Sequence, residues 1–209
     1  MKNANLTYIF LVGILIASCA KPEPVVAQER RERVEFSVDG LFQGVYSEVL
    51  EQPLEVSYTV PCADGKADRT GLDFFEDPNI HTSDDDDYSN NVWDKGHLAP
   101  AATFSDSMEN LKQTFSYLNC ALQDQYLNRG EWRLLEEKER DWDDESNLTV
   151  TVELVWDEGY IILPTGGHVP TDLIKHIYFE KTGSWKCFEF ENVKPEKGWE
   201  EHEVVHNHD

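Results

Sequence analysis

The stretch that decides the fold is Trp93-Asp94-Lys95-Gly96-His97-Leu98-Ala99-Pro100-Ala101. A histidine alone carries little information. This one follows a glycine and precedes Ala-Pro, so its backbone is constrained on both sides. Val92 to His97 read as a short strand that delivers the imidazole at its end. An imidazole with an ordinary pKa near neutrality is suited to moving protons at physiological pH.

Working outward, Asp106 and Glu109 have capping-box spacing ahead of Met108, Leu111 and Phe115, which predicts a short helix. Phe115 to Leu122 reads as a buried strand with Cys120 in the core, and Asn128 to about Arg140 as a helix. Glu136 and Arg140 are four residues apart and share a face of that helix. Leu148, Val150, Val152, Leu154 and Trp156 recur at every second position, with Thr149, Thr151 and Glu153 between the first four, and Leu54, Val56, Tyr58 and Val60 alternate with polar residues. Both patterns predict half-buried strands. Ile161–Leu163, Lys175–Phe179 and Lys186–Phe190 predict three more. Ala63 to Asn91 is a long polar segment, and its four aspartates, Asp84 to Asp87, read as a solvated loop. They lack the glycine and closing glutamate of a calcium loop. The sum predicts an α+β domain with a mostly antiparallel sheet.

Composition points elsewhere. The 209 residues carry 18 basic against 41 acidic side chains, a formal charge of −23. Proteins that grip phosphates usually show a basic footprint, so the balance by itself argues against a nucleic-acid partner. With 40% hydrophobic and 11% aromatic residues, the chain is no disordered acidic tail.

The N-terminus reads as an address. Lys2 precedes an apolar run from Tyr8 to Ala17, too short to span a bilayer but suited to a signal-peptide core. Ile16-Ala17-Ser18-Cys19 resembles the lipobox of bacterial lipoproteins, which implies cleavage before Cys19 and lipidation of its thiol. The expected organisation is a signal peptide over 1–18, a flexible tether over 19–31, a domain over 32–195 and an acidic, histidine-containing tail over 196–209. The expected location is the bacterial periplasm or outer membrane and cell surface, with the lipidated N-terminus as the sole membrane contact. In such an oxidising compartment one bridge among Cys62, Cys120 and Cys187 is allowed, with the pairing open.

Several segments together resemble the DNA/RNA non-specific endonucleases, the ββα-metal or His-Me finger nucleases. Asp94-Lys95-Gly96-His97 matches their Asp-Arg-Gly-His signature, with lysine in place of arginine. Arg69-Thr70, Phe74 and Asp77-Pro78 resemble the upstream segment. Asn119, Gln123, Leu127-Asn128, Trp132 and Leu135-Glu136 resemble the metal-binding segment, although Leu122 stands where the family has proline. Val169-Pro170-Thr171 through Lys175, then Phe190 and Asn192, resemble later strands. The resemblance implies phosphodiester hydrolysis in DNA and RNA with 5′-phosphate products, His97 as general base and Asn128 as the one protein ligand of a Mg²⁺ ion. Mn²⁺ would suit the same oxygen donors. It further implies that Glu136 holds metal-bound water, that Arg140 sits by the leaving group, and that Arg69 and Lys95 meet the phosphate. Asp94 would position the motif strand, and Asn119 and Gln123 would line the site.

Other readings compete. The chain could be a weakly active or inactive relative that binds nucleic acid or a small phosphodiester, motivated by Lys95 and the acidic balance, or a structural surface lipoprotein. His202-Glu203-Val204-Val205-His206 has zinc-protease spacing, but it ends too near residue 209 for a buried helix and a third ligand.

Overall fold

The computed structural model describes residues 33–38, 40–61, 65–143 and 147–205. The signal peptide, Cys19, the tether and Cys62 lie outside the described residues.

A seven-stranded antiparallel sheet forms the body. It contains β1 (Arg33–Val38), β2 (Phe42–Ser47), β3 (Gln52–Thr59), β6 (Leu148–Val155), β7 (Asp172–Phe179), β8 (Ser184–Glu191) and β9 (Glu203–Val204), in the spatial order β1-β2-β3-β6-β7-β8-β9. A separate antiparallel pair, β4 (Trp93–His97) and β5 (Cys120–Asp124), lies beside it. The helices are α1 (Met108–Gln113) and α2 (Arg133–Asp143). This is the ββα-metal nuclease fold: two strands and a helix set against one face of a larger sheet.

Alternation builds the core. Val56 and Tyr58 of β3, Val150, Val152 and Leu154 of β6, Leu173 and Ile177 of β7, and Phe188 and Phe190 of β8 point to one face. There they meet Leu98, Ala121, Leu127, Trp132 and Leu135. Two buried amides join the small pair to the sheet. Gln52 Oε1 accepts from the Leu122 N–H at 2.9 Å. Asn192 Nδ2 donates to the carbonyls of Leu122 and Pro170, both at 2.9 Å, while its Oδ1 accepts from the Asp124 N–H at 2.8 Å.

Helix α2 is fixed by charge as well as by packing. Glu139 and Lys175 are fully buried and paired at 2.7 Å. The Tyr58 hydroxyl donates to the second Glu139 oxygen at 2.7 Å, and the Lys175 ammonium lies 4.1 Å from the centre of the Trp132 ring. Every charged atom of the pair thus has a partner, the condition under which a buried pair is tolerated.

Several expectations need correction. β1 and β2 had no strong signal, partly because Gly44 interrupts the alternation. It is required there, since a side chain would place Cβ 2.0 Å from the Glu55 carbonyl oxygen. The cap of α1 is Ser107, whose hydroxyl accepts from the Asn110 N–H at 3.1 Å. Asp106 instead accepts from the Asn110 side chain. The strand expected from Phe115 starts at Cys120, because Ser116 caps a 3₁₀ turn over Tyr117–Asn119. The helix expected from Asn128 is interrupted. A single turn, Gln125–Leu127, runs into a π-type turn, Asn128–Trp132, and Gly130 leaves helical geometry with φ −107° and ψ −112°. Regular helix resumes at Arg133. Ile161–Leu163 makes only a bridge between Ile162 and His168.

The aspartate run is not wholly solvated. Asp84 caps a 3₁₀ turn, Asp85–Tyr88, and Asp87 is buried and accepts from the Gly167 N–H at 3.1 Å. The expected tail is partly built in: Trp199 packs on Trp142 and Phe188, and its N–H donates to Glu131 at 2.8 Å. His202 ends a 3₁₀ turn rather than lying on a helix, and stacks on Phe190, so the zinc-protease spacing has no helical face; His206 lies outside the described residues. Cys120 and Cys187 are buried free thiols on different sheets and do not pair with each other.

Lys175→Met should lower the unfolding free energy by about 3–5 kcal/mol, because it strands Glu139 in the core. Adding Glu139→Leu should recover most of that loss. Urea denaturation checks both, and a double variant no more stable than the single would contradict the coupling.

Candidate active site

A cleft of about 680 Å³ lies between the β4–β5 pair and α2, lined among others by Arg69, Asp94, Lys95, His97, Asn128, Glu136 and Arg140. Seven residues expected to act near one another are therefore brought together. Asn119 and Gln123 do not line it. Asn119 is buried and holds the chain just beyond His97. Its Oδ1 accepts from the Ala99 N–H at 2.7 Å, and its Nδ2 donates to the Ala99 and Thr114 carbonyls at 2.9 and 3.0 Å. Gln123 is buried against Gly96, where a Cβ would lie 2.3 Å from Gln123 Oε1. The motif glycine thus answers to space on the face opposite His97.

His97 closes β4 with its ring boxed by Phe74 and Phe115, centroids 4.7 and 4.8 Å away. Its Nε2 is buried without a hydrogen-bond partner among the described residues. Burial, then the positive charge of Arg69, push the imidazole pKa down to about 3, so the ring is neutral and able to accept a proton.

Asp94 organises the opposite wall. Its carboxylate takes two hydrogen bonds from Arg129, at 2.7 and 2.6 Å, and one from Asn128 Nδ2 at 3.0 Å. A carboxylate only accepts here, so the Asn128 amide must turn its nitrogen to Asp94. That leaves Asn128 Oδ1 without a protein partner among the described residues, at the cleft wall.

Glu136 and Arg140 project from α2 into the cleft, one stripe over from Leu135 and Glu139, which face the sheet. Burial pushes Glu136 up to about 7; Lys175 and Arg140 oppose this and Glu139 adds to it. Arg140 Nη1 is buried with no hydrogen-bond partner, and the Arg69 side chain has none either among the described residues. Arg133 pairs with Glu137. Lys95, expected to meet phosphate, is held by Asp85 and by Asp73, the latter at 3.2 Å.

The donor set fits a hydrated divalent cation. Asn128 Oδ1 and the Glu136 carboxylate are hard oxygen donors, the kind Mg²⁺ accepts while keeping most of its waters. Among the described residues no cluster of three His, Cys, Asp or Glu side chains is placed to hold a metal, so a closed zinc-type cage is not formed.

A ββα unit delivering a neutral imidazole, a free amide oxygen, a carboxylate and unpaired guanidinium groups to one cleft defines the ββα-metal nuclease class. The model of the DNA/RNA non-specific endonuclease family matches residues 29–200. The chain belongs to that family. It is 34% identical to mitochondrial nuclease EXOG of Xenopus laevis over 124 residues, 57% of this chain and 32% of that protein. It is 37% identical to human mitochondrial endonuclease G over 79 residues, 36% of this chain and 27% of that protein. The aligned region is thus a third or less of each of these relatives. The crystal structure of the EndoG/EndoGI complex matches with a TM-score of 0.72 at 21% identity, covering 89% of this chain and 87% of that one, which shows the shared fold.

Between about pH 4.5 and 7 the folded state keeps a proton on Glu136 that the unfolded chain has released, so rising pH costs stability across that window. In EDTA, Glu136→Gln should therefore melt about 2–4 °C above wild type at pH 8, with the difference closing toward pH 4.5. Calorimetry at both pH values decides; a variant that melts with or below wild type at pH 8 contradicts the burial.

Proposed function

We propose that the chain is a metal-dependent endonuclease that hydrolyses phosphodiester bonds of DNA and RNA without sequence specificity, exported and anchored through a lipidated Cys19. The observation that carries the catalytic part is the convergence of His97, Asn128, Glu136, Arg69 and Arg140 on one cleft in a member of this family.

His97, held uncharged, takes the proton of the attacking water. The scissile phosphate lies against Arg69 and Arg140, whose guanidinium groups make no hydrogen bond or ion pair among the described residues and offer flat, multidentate donors to its oxygens. Asn128, aimed by Asp94, would hold the cation through Oδ1, and Glu136 would orient water beside it. A bound Mg²⁺ or Mn²⁺ supplies charge neutralisation for the developing phosphorane and the leaving oxygen. The sequence carries no visible base-reading motif, and contact through phosphates gives little sequence preference.

Nicking of supercoiled plasmid tests this. Wild type with Mg²⁺ should nick, EDTA should stop it, and His97→Ala should lose about 10²–10⁴-fold in rate. Asn128→Ala should lose activity that higher Mg²⁺ partly restores. Degradation that is equal in wild type and His97→Ala, or absent from both, overturns the proposal. A second reading, a relative that binds nucleic acid but turns it over slowly, is favoured by the internal pairing of Lys95 and predicts binding with little nicking.

Export rests on the apolar run from Tyr8 and on the Ala17-Ser18-Cys19 ending. Among the described residues no helix is long and apolar enough to cross a membrane. Labelled palmitate should be incorporated by the full chain and not by Cys19→Ser; equal labelling, or none in either, contradicts the anchor.

A further inference from the structure

Lys95 occupies the basic position of the motif, yet the chain supplies it with two anions of its own. Its ammonium bridges Asp73 and Asp85, which come from separate parts of the long polar segment. Beneath it lie the rings of Tyr117, Phe74 and Tyr88, with centroids at 5.4, 5.5 and 6.0 Å. The Tyr117 hydroxyl donates to Asp85 at 2.6 Å, and Asp73 also accepts from the Phe74 N–H at 2.8 Å. The Asp85 carboxyl is held below its usual range by Lys95 first and Tyr117 second. Burial pulls Lys95 down, but the two carboxylates hold it above the ordinary lysine range.

The two halves of this bridge differ in exposure. The Lys95 side chain is 23% exposed, its ammonium over aromatic rings at the cleft wall, whereas Asp73 and Asp85 are 76% and 69% exposed. Ion pairs with exposed carboxylates are worth little and are screened by salt. The cation is therefore anchored and its anions are replaceable. A phosphodiester entering the cleft against Arg69 and Arg140 meets two carboxylates at its edge that repel it and occupy the third cation.

We propose that Asp73 and Asp85 set substrate affinity by standing in for phosphate on Lys95, so that an incoming phosphodiester must displace them before Lys95 can bind it. This rests on the nuclease reading for the identity of the incoming anion. It casts Lys95 as a masked phosphate contact. The exchange of one anion for another costs little at Lys95 itself, and the net gain comes from removing the carboxylates from the path of the polyanion.

The test is fluorescence anisotropy with a labelled single-stranded oligodeoxynucleotide in EDTA, which reads binding without cleavage. Asp73→Asn/Asp85→Asn should bind about fivefold or more tighter than wild type at low salt, with a log–log salt slope steeper by about 0.7, one added phosphate contact. Adding Lys95→Met to that double variant should abolish the gain. Asp73→Asn alone, which leaves the Tyr117–Asp85 hydrogen bond untouched, should give part of it, and so guards against misfolding of the double variant. No gain in the double variant overturns the proposal, as does a gain that survives Lys95→Met. Plasmid nicking by wild type, lost in His97→Ala, is measured alongside. If nicking is present and the binding gain absent, the masking idea fails and the nuclease reading stands. If wild type neither binds nor nicks, the nuclease reading fails and takes the masking idea with it.

Discussion

The buried pair of Glu139 and Lys175 is the interaction on which the site depends. Two charges with no exposure are costly, and their attraction offsets that cost only when the remaining hydrogen-bonding capacity is met. Tyr58 hydrogen-bonds the second Glu139 oxygen from β3, and the Trp132 ring, in the turn before α2, faces the Lys175 ammonium. The consequence is rotational. A helix held by leucines alone slides and rolls within a tolerant apolar contact, but a carboxylate that must reach one ammonium and one hydroxyl fixes the helix angle. With Leu135 and Glu139 locked to the sheet, Glu136 and Arg140 have no orientation open to them except toward the cleft. The same charges also tune the site: Glu139 raises the Glu136 pKa and Lys175 lowers it.

Charge elsewhere in the molecule is managed by position rather than by total. The sequence carries −23, yet the cleft gathers Arg69, Lys95, Arg129, Arg133 and Arg140. Three of these five are matched internally: Lys95 by Asp73 and Asp85, Arg129 by Asp94, and Arg133 by Glu137. Among the described residues that line the cleft, the cations left for an anion are Arg69 and Arg140, on opposite sides of His97 in the chain. An acidic surface then works against encounter at long range, while the two guanidinium groups act at contact distance, where the local field dominates.

The parts of this arrangement visible in the sequence were those with a local signature. The alternation of Leu148 to Trp156, the Gly-His pair and the Glu136–Arg140 spacing each depend on neighbours a few residues away, and each led to the observed element or placement. What was not visible depends on contacts between distant residues. Asn119 carries the same amide whether it lines a cleft or clamps Ala99, and only the fold decides. Asp84 to Asp87 look like one solvated run, but Asp87 is drawn inward by the Gly167 N–H, 80 residues away, and the exposed Asp85 pairs with Lys95, 10 residues away. Gln52, which joins the small strand pair to the large sheet, has no pattern that marks it beyond an amide within a strand, and the resemblance that picked out Asn192 gave no hint of its clamping role. Gly130 could be read as a mild helix defect; in the structure it separates two helical segments and lets Asn128 face Asp94 independently of α2.

His97 shows why these placements matter together. An imidazole with a pKa near 3 is uncharged at neutral pH but is also a poor base. The causes of that low value are burial between Phe74 and Phe115 and the nearby charge of Arg69. On the proposed reading, a phosphate that pairs with Arg69 cancels the second cause and adds a negative charge beside the ring, so the pKa rises as substrate arrives. Burial alone would leave the ring a weak base in every state. On that reading, part of the depression comes from a cation that a bound phosphate would neutralise, so the imidazole would gain basicity as substrate binds.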